Sequence, residues 1–315
     1  MDMRTKLITR RLFGIGLTTG LLAAGSAVGA LAADGPVVTD CRGRRVNPGK
    51  ARRIVSVGGA VTETLYALGA ADRIVGVDST STWPEAALHD KPSVGYMRAL
   101  SSEGVLALRP DLVLTMNNAG PPTALDQLMA SRVPVIFVDS TPSAEAIVDR
   151  TRFIANLMQA GAEGDRLCAD LSRRFETLTA WRAAHPLAQR VLFVMRMTNN
   201  RPMVAGTGTA ADAVIRLTGA VNAGAAMQGY KIVDQENLIA LKPDVILVMA
   251  QGSEDIRKNL LADPGFRLTS AGRSGAIISM EGERLLGLGL RTPDAALELA
   301  QKLAEMPVQT TGQPG

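Results

Sequence analysis

Short runs of consecutive apolar residues alternate along the chain with longer segments in which apolar residues recur every three or four positions. The runs predict strands and the spaced segments predict helices. The predicted strands are Ile54 to Val57, Ile74 to Val77, Leu112 to Thr115, Val135 to Val138, Val191 to Met195 and Val245 to Met249, and the predicted helices include Thr62 to Leu68, Ala210 to Leu217 and Pro293 to Glu305. Such an alternation is typical of an α/β fold with parallel sheets.

The middle of the chain has a helical pattern that no strand interrupts. Residues 143–186 are predicted to be helical for most of their length, with Gly161 and Gly164 as the only breaks. A helix of about 20 residues spans about 30 Å, so the piece after Gly164 is long enough to cross the molecule. We therefore predict two Rossmann-like lobes, residues 34–142 and 187–306, joined by one long connecting helix, with a ligand cleft between the lobes.

Parts of the two predicted lobes match each other in sequence. Residues 107–114 match residues 240–247, and Glu103 matches Glu236 at the same offset of 133 residues. Gly95-Tyr96 matches Gly229-Tyr230 with a slip of one residue. Such an internal repeat indicates that the chain is a duplication. Residues that correspond in the repeat are therefore expected at equivalent places in the two lobes.

Residues 1–33 have the pattern of a cleaved export signal. Arg10 and Arg11 precede a short apolar run rich in Gly, Leu and Ala, and a small-residue cleavage site lies near Ala32 or Ala33. The paired arginines favour the twin-arginine route, although they also occur ahead of ordinary secretory signals. A retained transmembrane anchor would need about 18 or more apolar residues without such a cleavage site.

Charge and cysteine content narrow the function classes. The formal charge of +4 falls to +1 without residues 1–32, which carry four basic side chains and one acidic side chain. The mature chain is then locally basic only from Arg42 to Arg53, which is expected to be a solvated lead-in and not a surface for nucleic acid or membrane. Cys41 and Cys168 form no disulfide framework and are expected to be free. Residues 307–315 are predicted to be a disordered tail.

Three motifs together carry a resemblance to a known family. They are Val94-Gly-Tyr-Met-Arg98 with Glu103 downstream, Met203-Val-Ala-Gly-Thr-Gly-Thr-Ala-Ala-Asp212, and Gly229-Tyr-Lys231. An exported, duplicated α/β chain with these motifs resembles the helical-backbone solute-binding proteins of ABC importers, and within them the haem-binding periplasmic proteins of Gram-negative bacteria. The resemblance covers almost all of residues 50–305.

The resemblance implies a periplasmic monomer that binds haem as its transported ligand. It implies delivery to an ABC permease homodimer with its ATPase subunits, and no insertion into the membrane. Cobalamin or a ferric siderophore is the alternative ligand within the same transporter class. An extracytoplasmic enzyme on the same fold is the alternative from a different class, but the sequence contains no hydrolase or metalloprotease motif.

Tyr96 is the position that the resemblance implies as the axial ligand of the haem iron. Its surroundings have no helical or alternating pattern, so a loop is predicted, and tyrosinate is one of the few side chains that ligate ferric haem. A free phenol has a pKa of about 10, so a nearby cation must favour the anion. Arg98, two residues away, is placed to supply that charge. The alternatives are a tyrosine packed over the sheet edge and a solvated arginine.

The rest of the predicted haem pocket comes from both lobes. The repeat places Tyr230 opposite Tyr96, where it would stack on the porphyrin or bond a propionate, and Lys231 would meet a propionate as a point charge. Some family members have an iron-ligating histidine after the first strand of the second lobe, where this chain has Met195-Arg196-Met197. Met195 or Met197 is therefore assigned to apolar packing or, less favoured, to a weak sixth ligand, and Met97 and Met197 are counted among the pocket residues.

Glu103 and Glu236 each precede a Pro-Asp strand, on short helices that the repeat relates. In the resembling family, acidic residues at these positions dock into arginine pockets on the two permease copies. The alternative is a pair of solvated glutamates that the helix dipole favours.

Two histidines, His89 and His185, are too few for a zinc site, which takes three or four side chains.

Overall fold

The computed structural model describes residues 37–306, all within one compact unit. The predicted export signal in residues 1–33 and the predicted tail in residues 307–315 lie outside the described residues. Within residues 37–306, no helix is both long enough and apolar enough to cross a membrane.

The first part of the chain contains six strands and five helices. They are β1 (Val38–Thr39), β2 (Arg45–Val46), β3 (Ile54–Val57), α1 (Gly59–Ala67), β4 (Ile74–Val77), α2 (Ala86–Asp90), α3 (Ser102–Ala107), β5 (Leu112–Met116), α4 (Pro122–Ala130), β6 (Val135–Val138) and α5 (Ala144–Leu157). A short 3₁₀ turn, Ala71–Arg73, precedes β4.

The remaining elements follow in the same alternating manner. They are α6 (Gly161–Ala184), β7 (Arg190–Thr198), β8 (Arg201–Ala205), α7 (Ala210–Thr218), β9 (Val221–Asn222), β10 (Tyr230–Ile232), α8 (Gln235–Ala240), β11 (Val245–Met249), α9 (Ser253–Ala262), α10 (Pro264–Arg267), α11 (Ser270–Ser274), β12 (Ile277–Met280), α12 (Gly282–Leu286) and α13 (Thr292–Ala304).

The N-terminal lobe is built on a four-stranded parallel sheet of order β4-β3-β5-β6. Its strands β3, β5 and β6 are buried along their whole length, which is why their sequences are continuous apolar runs. One hydrophobic cluster, which includes Val61, Leu65, Leu114 and Phe137, fills both sides of the sheet. The predicted strands and parallel pairing of this lobe are confirmed.

The C-terminal lobe is built on a mixed sheet of order β10-β8-β7-β11-β12, with β9 paired to β7. The sequence predicted parallel sheets only, and β8 with its antiparallel pairing to β7 and β10 was not predicted. The cause is a two-residue turn at Asn199 and Asn200, whose φ angles of 48° and 58° are those of a tight hairpin. Two clusters, on opposite faces of the sheet, form the core of this lobe.

The connection between the lobes consists of two helices, α5 and α6, where one long helix was predicted. Ile154 of α5 packs in the core of the N-terminal lobe and Ile147 packs in a core of the C-terminal lobe, so α5 crosses between them. The longer α6 packs against α5 and α13. Gly164 lies inside α6 and does not break it. Its missing side chain leaves room for Ala155 of α5, so the two helices pack closely there. The α/β class with two lobes is confirmed, and the predicted lobe boundaries stay predictions.

The same local arrangement occurs in both lobes at the matching sequences. In the N-terminal lobe, the Asp111 carboxylate accepts a hydrogen bond from the Arg53 backbone at 2.8 Å, just before β3 and β5. In the C-terminal lobe, Asp244 accepts one from the Arg190 backbone at 2.9 Å, just before β7 and β11. The equivalent contacts agree with the predicted duplication and place the two short helices α3 and α8 equivalently.

Candidate functional site

Tyr96 lies in a loop, as predicted. Backbone hydrogen bonds hold this loop on both sides of Tyr96. The carbonyl of Gly95 accepts from the Ser79 amide at 2.8 Å, and the carbonyl of Met97 accepts from the Gly120 amide at 2.9 Å. Gly95 has a φ of +86°, a conformation that favours glycine and turns the chain toward Tyr96. The Tyr96 side chain is 44% exposed. The loop therefore presents a phenol to solvent from a fixed backbone.

The guanidinium of Arg98 bonds the phenol of Tyr96. Its Nη1 donates to the Tyr96 hydroxyl oxygen at 3.1 Å, and both side chains are exposed. A cation that donates to a phenol oxygen stabilises negative charge on that oxygen. The structure thus brings together the two residues that the sequence predicted to act as a unit.

Tyr230 of the opposite lobe is more buried and lies within electrostatic range of the same arginine. Burial raises the pKa of the Tyr230 phenol, and the charge of Arg98 and a hydrogen bond with Thr209 both oppose that rise. Tyr96 contributes a further small increase to the pKa of Tyr230. Arg98 therefore lies within electrostatic range of phenols from both lobes.

The other predicted pocket residues do not all lie with these three. Met97 is buried in the core of the N-terminal lobe, where its sulfur lies 3.9 Å from the Thr80 hydroxyl. Met195 packs on the same face of the C-terminal sheet as Tyr230, whereas Met197 packs on the other face. A register shift between Val194 and Arg196 separates the two methionines in this way.

Lys231 is exposed and follows Tyr230 in β10. Successive side chains of a strand point to opposite faces, so Lys231 and Tyr230 do not face the same side. Ile232 shares the face of Tyr230 and is 41% exposed, an apolar side chain next to the cleft that the sequence argument did not identify. The shared face of Ile232 and Tyr230 can be recognised only once β10 is known to be a strand, because side chains two positions apart then point the same way.

Thr209 is the second residue whose role the sequence did not predict. Its hydroxyl accepts from the Asp212 amide at 3.1 Å as the N-cap of α7 and donates to the Gly206 carbonyl at 2.9 Å. The segment from Gly206 to Thr209 is thus a capped strand-to-helix turn. Thr209 also forms the hydrogen bond that opposes the rise in the pKa of Tyr230.

Glu103 and Glu236 are both exposed and occupy the same place in equivalent helices. Each is the second residue of a six-residue helix, and the caps are Ser101 for α3 and Asp234 for α8. The Ser101 hydroxyl accepts a hydrogen bond from the Gly104 amide at 3.2 Å.

The histidines do not form a metal site. His89 is exposed and bonds Asp90 at 2.6 Å, and His185 stacks on Trp181 with ring centroids 4.5 Å apart. Within the described part of the chain, no group of three or more His, Cys, Asp or Glu side chains could hold a metal ion. Cys41 and Cys168 are both free.

Comparison with known proteins relates this chain to binding proteins. The sequence model of the periplasmic binding protein family matches residues 54–283. A curated relative, the vitamin B12-binding protein of Yersinia pestis (strain Pestoides F), is 27% identical over 206 residues, which cover 65% of this chain and 71% of that protein.

Solved structures of haem-binding proteins are more similar. Periplasmic haem-binding protein BhuT, in complex with two haems, is 39% identical with a TM-score of 0.77, covering 81% of this chain and 98% of that chain. RhuT from Roseiflexus sp. RS-1, in apo form, is 36% identical with a TM-score of 0.76 and the same coverage of 81% and 98%. A periplasmic haem-binding protein from Pseudomonas aeruginosa is 34% identical with a TM-score of 0.72, covering 79% and 91%.

Proposed function

The chain belongs to the periplasmic binding protein family, and we propose that it captures haem in the periplasm and delivers it to an inner-membrane ABC importer. The observation that carries the proposal is the exposed phenol of Tyr96, to which Arg98 donates a hydrogen bond at 3.1 Å. The haem-binding proteins that share 34% to 39% of its sequence support it. Haem is the transported ligand in this proposal, and the proposal requires no chemical reaction on it.

We assign Tyr96 as the axial ligand of the ferric iron. Ferric haem accepts tyrosinate as a ligand, and an arginine that donates to the same oxygen stabilises the charge that develops when the phenol loses its proton. The fixed loop backbone keeps the phenol in place, which lowers the entropy lost on binding. Tyr230 and Ile232 would then contact the porphyrin from the opposite lobe, and Lys231 would reach a propionate at the rim.

We further propose that the protein acts as a monomer and meets a permease dimer through Glu103 and Glu236. Two equivalent carboxylates, one on each lobe, suit a partner with two equivalent cationic sites. Exposed opposite charges speed the encounter and set its orientation without a large gain in affinity, so the complex can dissociate after transfer.

The test of the ligand assignment compares two matched variants, Tyr96→Phe and Tyr230→Phe. Each loses one hydroxyl and keeps its ring, so packing is preserved. Tyr96→Phe is expected to lose the tyrosinate charge-transfer bands of the ferric haem spectrum and to release haem to apomyoglobin much faster. Tyr230→Phe is expected to keep those bands and to release haem only slightly faster.

An unchanged haem spectrum in Tyr96→Phe would refute the ligand assignment. The similarity to vitamin B12-binding proteins makes cobalamin the competing ligand. Calorimetry of the wild-type protein with haem and with cobalamin, at equal concentrations, separates the two functions. Saturable binding of cobalamin with no binding of haem would replace the proposed function by the cobalamin one.

A further inference from the structure

The two lobes also contact each other away from the connecting helices α5 and α6, between α1 and the start of α13. Glu63 of α1 forms a buried ion pair with Arg291, which precedes α13, at 2.7 Å between Oε1 and Nε. The other oxygen of Glu63 accepts from the Leu290 amide at 3.1 Å. Arg291 also lies 3.6 Å from a carboxylate oxygen of Glu281 in the C-terminal lobe. One arginine thus joins carboxylates of both lobes.

The contact is closely packed. A side-chain carbon added to Gly289 would lie 2.5 Å from a Glu63 oxygen and 3.3 Å from Cα of Ala60 in α1. The Glu63 side chain is 7% exposed and the Arg291 side chain 21%. The guanidinium also lies 5.2 Å from the centre of the Trp83 ring, which covers it from the solvent side. Water therefore has little access to this ion pair, and its electrostatics are weakly screened.

The contact contains more carboxylates than its single arginine can neutralise. Glu283 lies beside Glu281, whose carboxylate accepts a hydrogen bond from the Glu283 amide at 2.9 Å. Burial, together with the charges of Asp78, Glu281 and Glu63, raises the pKa of Glu283 to about 7, against the opposing charge of Arg291. Burial also raises the pKa of Glu63, which Arg291 opposes.

Asp78 connects the contact to the loop of the cleft. It is fully buried and accepts hydrogen bonds from the Gly58 amide at 2.7 Å and from the Thr80 hydroxyl at 2.7 Å. The next residue, Ser79, donates its amide to the carbonyl of Gly95, directly before Tyr96. A change in charge beside Asp78 therefore acts one residue away from the anchor of the Tyr96 loop.

We propose that this contact is a proton-sensitive latch between the lobes, tight while Glu283 carries a proton and looser once Glu283 ionises. The interlobe latch consists of Glu63, Asp78, Glu281, Glu283 and Arg291, with Trp83 as its cover. Ionisation of Glu283 adds one more negative charge to a buried set with a single guanidinium, and like charges at short range in a partly buried site repel strongly.

The sign of the stability effect follows from where the folded protein holds the proton. The pKa of Glu283 is about 7 in the folded protein and 4.5 for an ordinary glutamate. Between those two pH values the folded state binds more protons than the unfolded state, so stability falls as the pH rises. Above about pH 7 the contribution of Glu283 no longer changes.

Trp83 provides a readout at the latch itself. The chain has two tryptophans, Trp83 and Trp181, and Trp181 stacks on His185. The substitution Trp181→Phe therefore leaves Trp83 as the single tryptophan. In the haem-free Trp181→Phe protein, acrylamide quenching of Trp83 is expected to increase with pH, with a midpoint near 7. Adding Glu283→Gln, which is isosteric and uncharged, is expected to abolish the transition and keep quenching at its low-pH level.

His89→Gln in the same background is the matched control, because hydrogen bonding and charge from Asp90 raise the pKa of this exposed histidine. It is expected to keep the transition. A transition that persists in Glu283→Gln, that is lost in His89→Gln, or that is absent from the Trp181→Phe protein would each overturn the latch. The fall of the thermal unfolding midpoint with pH, expected to be smaller in Glu283→Gln, gives a second measurement. Neither readout involves haem, so failure of the latch and failure of the proposed function are distinguishable.

Discussion

Arg98 acts on two phenols that differ in exposure. It donates its hydrogen bond to the exposed Tyr96 and only its charge reaches the more buried Tyr230. Burial favours the protonated form of Tyr230, which remains a hydrogen-bond donor, whereas Tyr96 is exposed and accepts from Arg98. This difference supports the assignment of Tyr96, and not Tyr230, as the iron ligand.

The charge of Arg98 lowers the pKa of Tyr230, so Arg98→Ala is expected to raise that pKa further above its ordinary value. Arg98→Lys keeps the charge and loses the planar fork, so it is expected to leave the pKa of Tyr230 closer to that of the wild type. The chain has only three tyrosines, and an alkaline absorbance titration of the haem-free protein can resolve them. Tyr230→Phe identifies the relevant step. A step at the same pH in wild type and Arg98→Ala would contradict the electrostatic link.

At the scale of elements, the helix pair α5–α6 determines how the lobes are held. The short α5 contributes to both cores, and α6 packs along α5 where Gly164 meets Ala155. A helix that is packed into two cores resists bending, because its backbone hydrogen bonds and its side-chain contacts would break together. The pair therefore limits relative motion of the lobes more than a single solvent-exposed helix would.

Gly164→Ala is expected to destabilise the protein by about 1 to 3 kcal/mol, because the added methyl group overlaps Ala155 between two packed helices. Gly161→Ala, at the exposed start of the same helix, is the matched control. No atom lies within 4 Å of the added carbon there, so that change is expected to be neutral or slightly stabilising. Urea unfolding monitored by circular dichroism measures both. Equal stabilities of the two variants would show that the helix contact is not tight.

At the scale of the whole molecule, the duplication places equivalent exposed carboxylates on the two lobes. Glu103 and Glu236 start equivalent helices, α3 and α8, in the two lobes. The Arg53 guanidinium donates to the Leu108 carbonyl at the end of α3, and the Arg190 guanidinium donates to the Leu241 carbonyl at the end of α8, so the two helices are attached to their sheets in the same way. The proposed docking mode uses this pseudo-symmetry.

The double charge reversal Glu103→Lys with Glu236→Lys is expected to leave haem binding intact and to abolish haem transfer to the reconstituted importer, with each single change intermediate. The matched control is Glu163→Lys with Glu176→Lys, which makes the same change in net charge on the exposed surface of α6. Haem uptake into proteoliposomes at low salt, where screening is weakest, measures the effect. Uptake at the wild-type rate by the Glu103 and Glu236 double variant would rule out the docking role.

The sequence by itself determined the features that depend on neighbouring residues. Apolar runs predicted β3, β4, β6 and β11 with their observed ends, because a strand buried on both faces needs consecutive apolar residues. The position of Tyr96 in a loop beside Arg98 and the equivalent placement of Glu103 and Glu236 were also accessible. All of these are local patterns or repeats of them.

Only the tertiary structure decided the features that depend on residues far apart in the chain. The reach of Arg98 to Tyr230 and the buried pair Glu63–Arg291, 228 residues apart, have no local signature. Their physical reason is shared: burial and charge proximity arise when the lobes pack together. A glutamate such as Glu283 is ordinary in the sequence and becomes a titrating group only because folding removes water and brings other carboxylates near it.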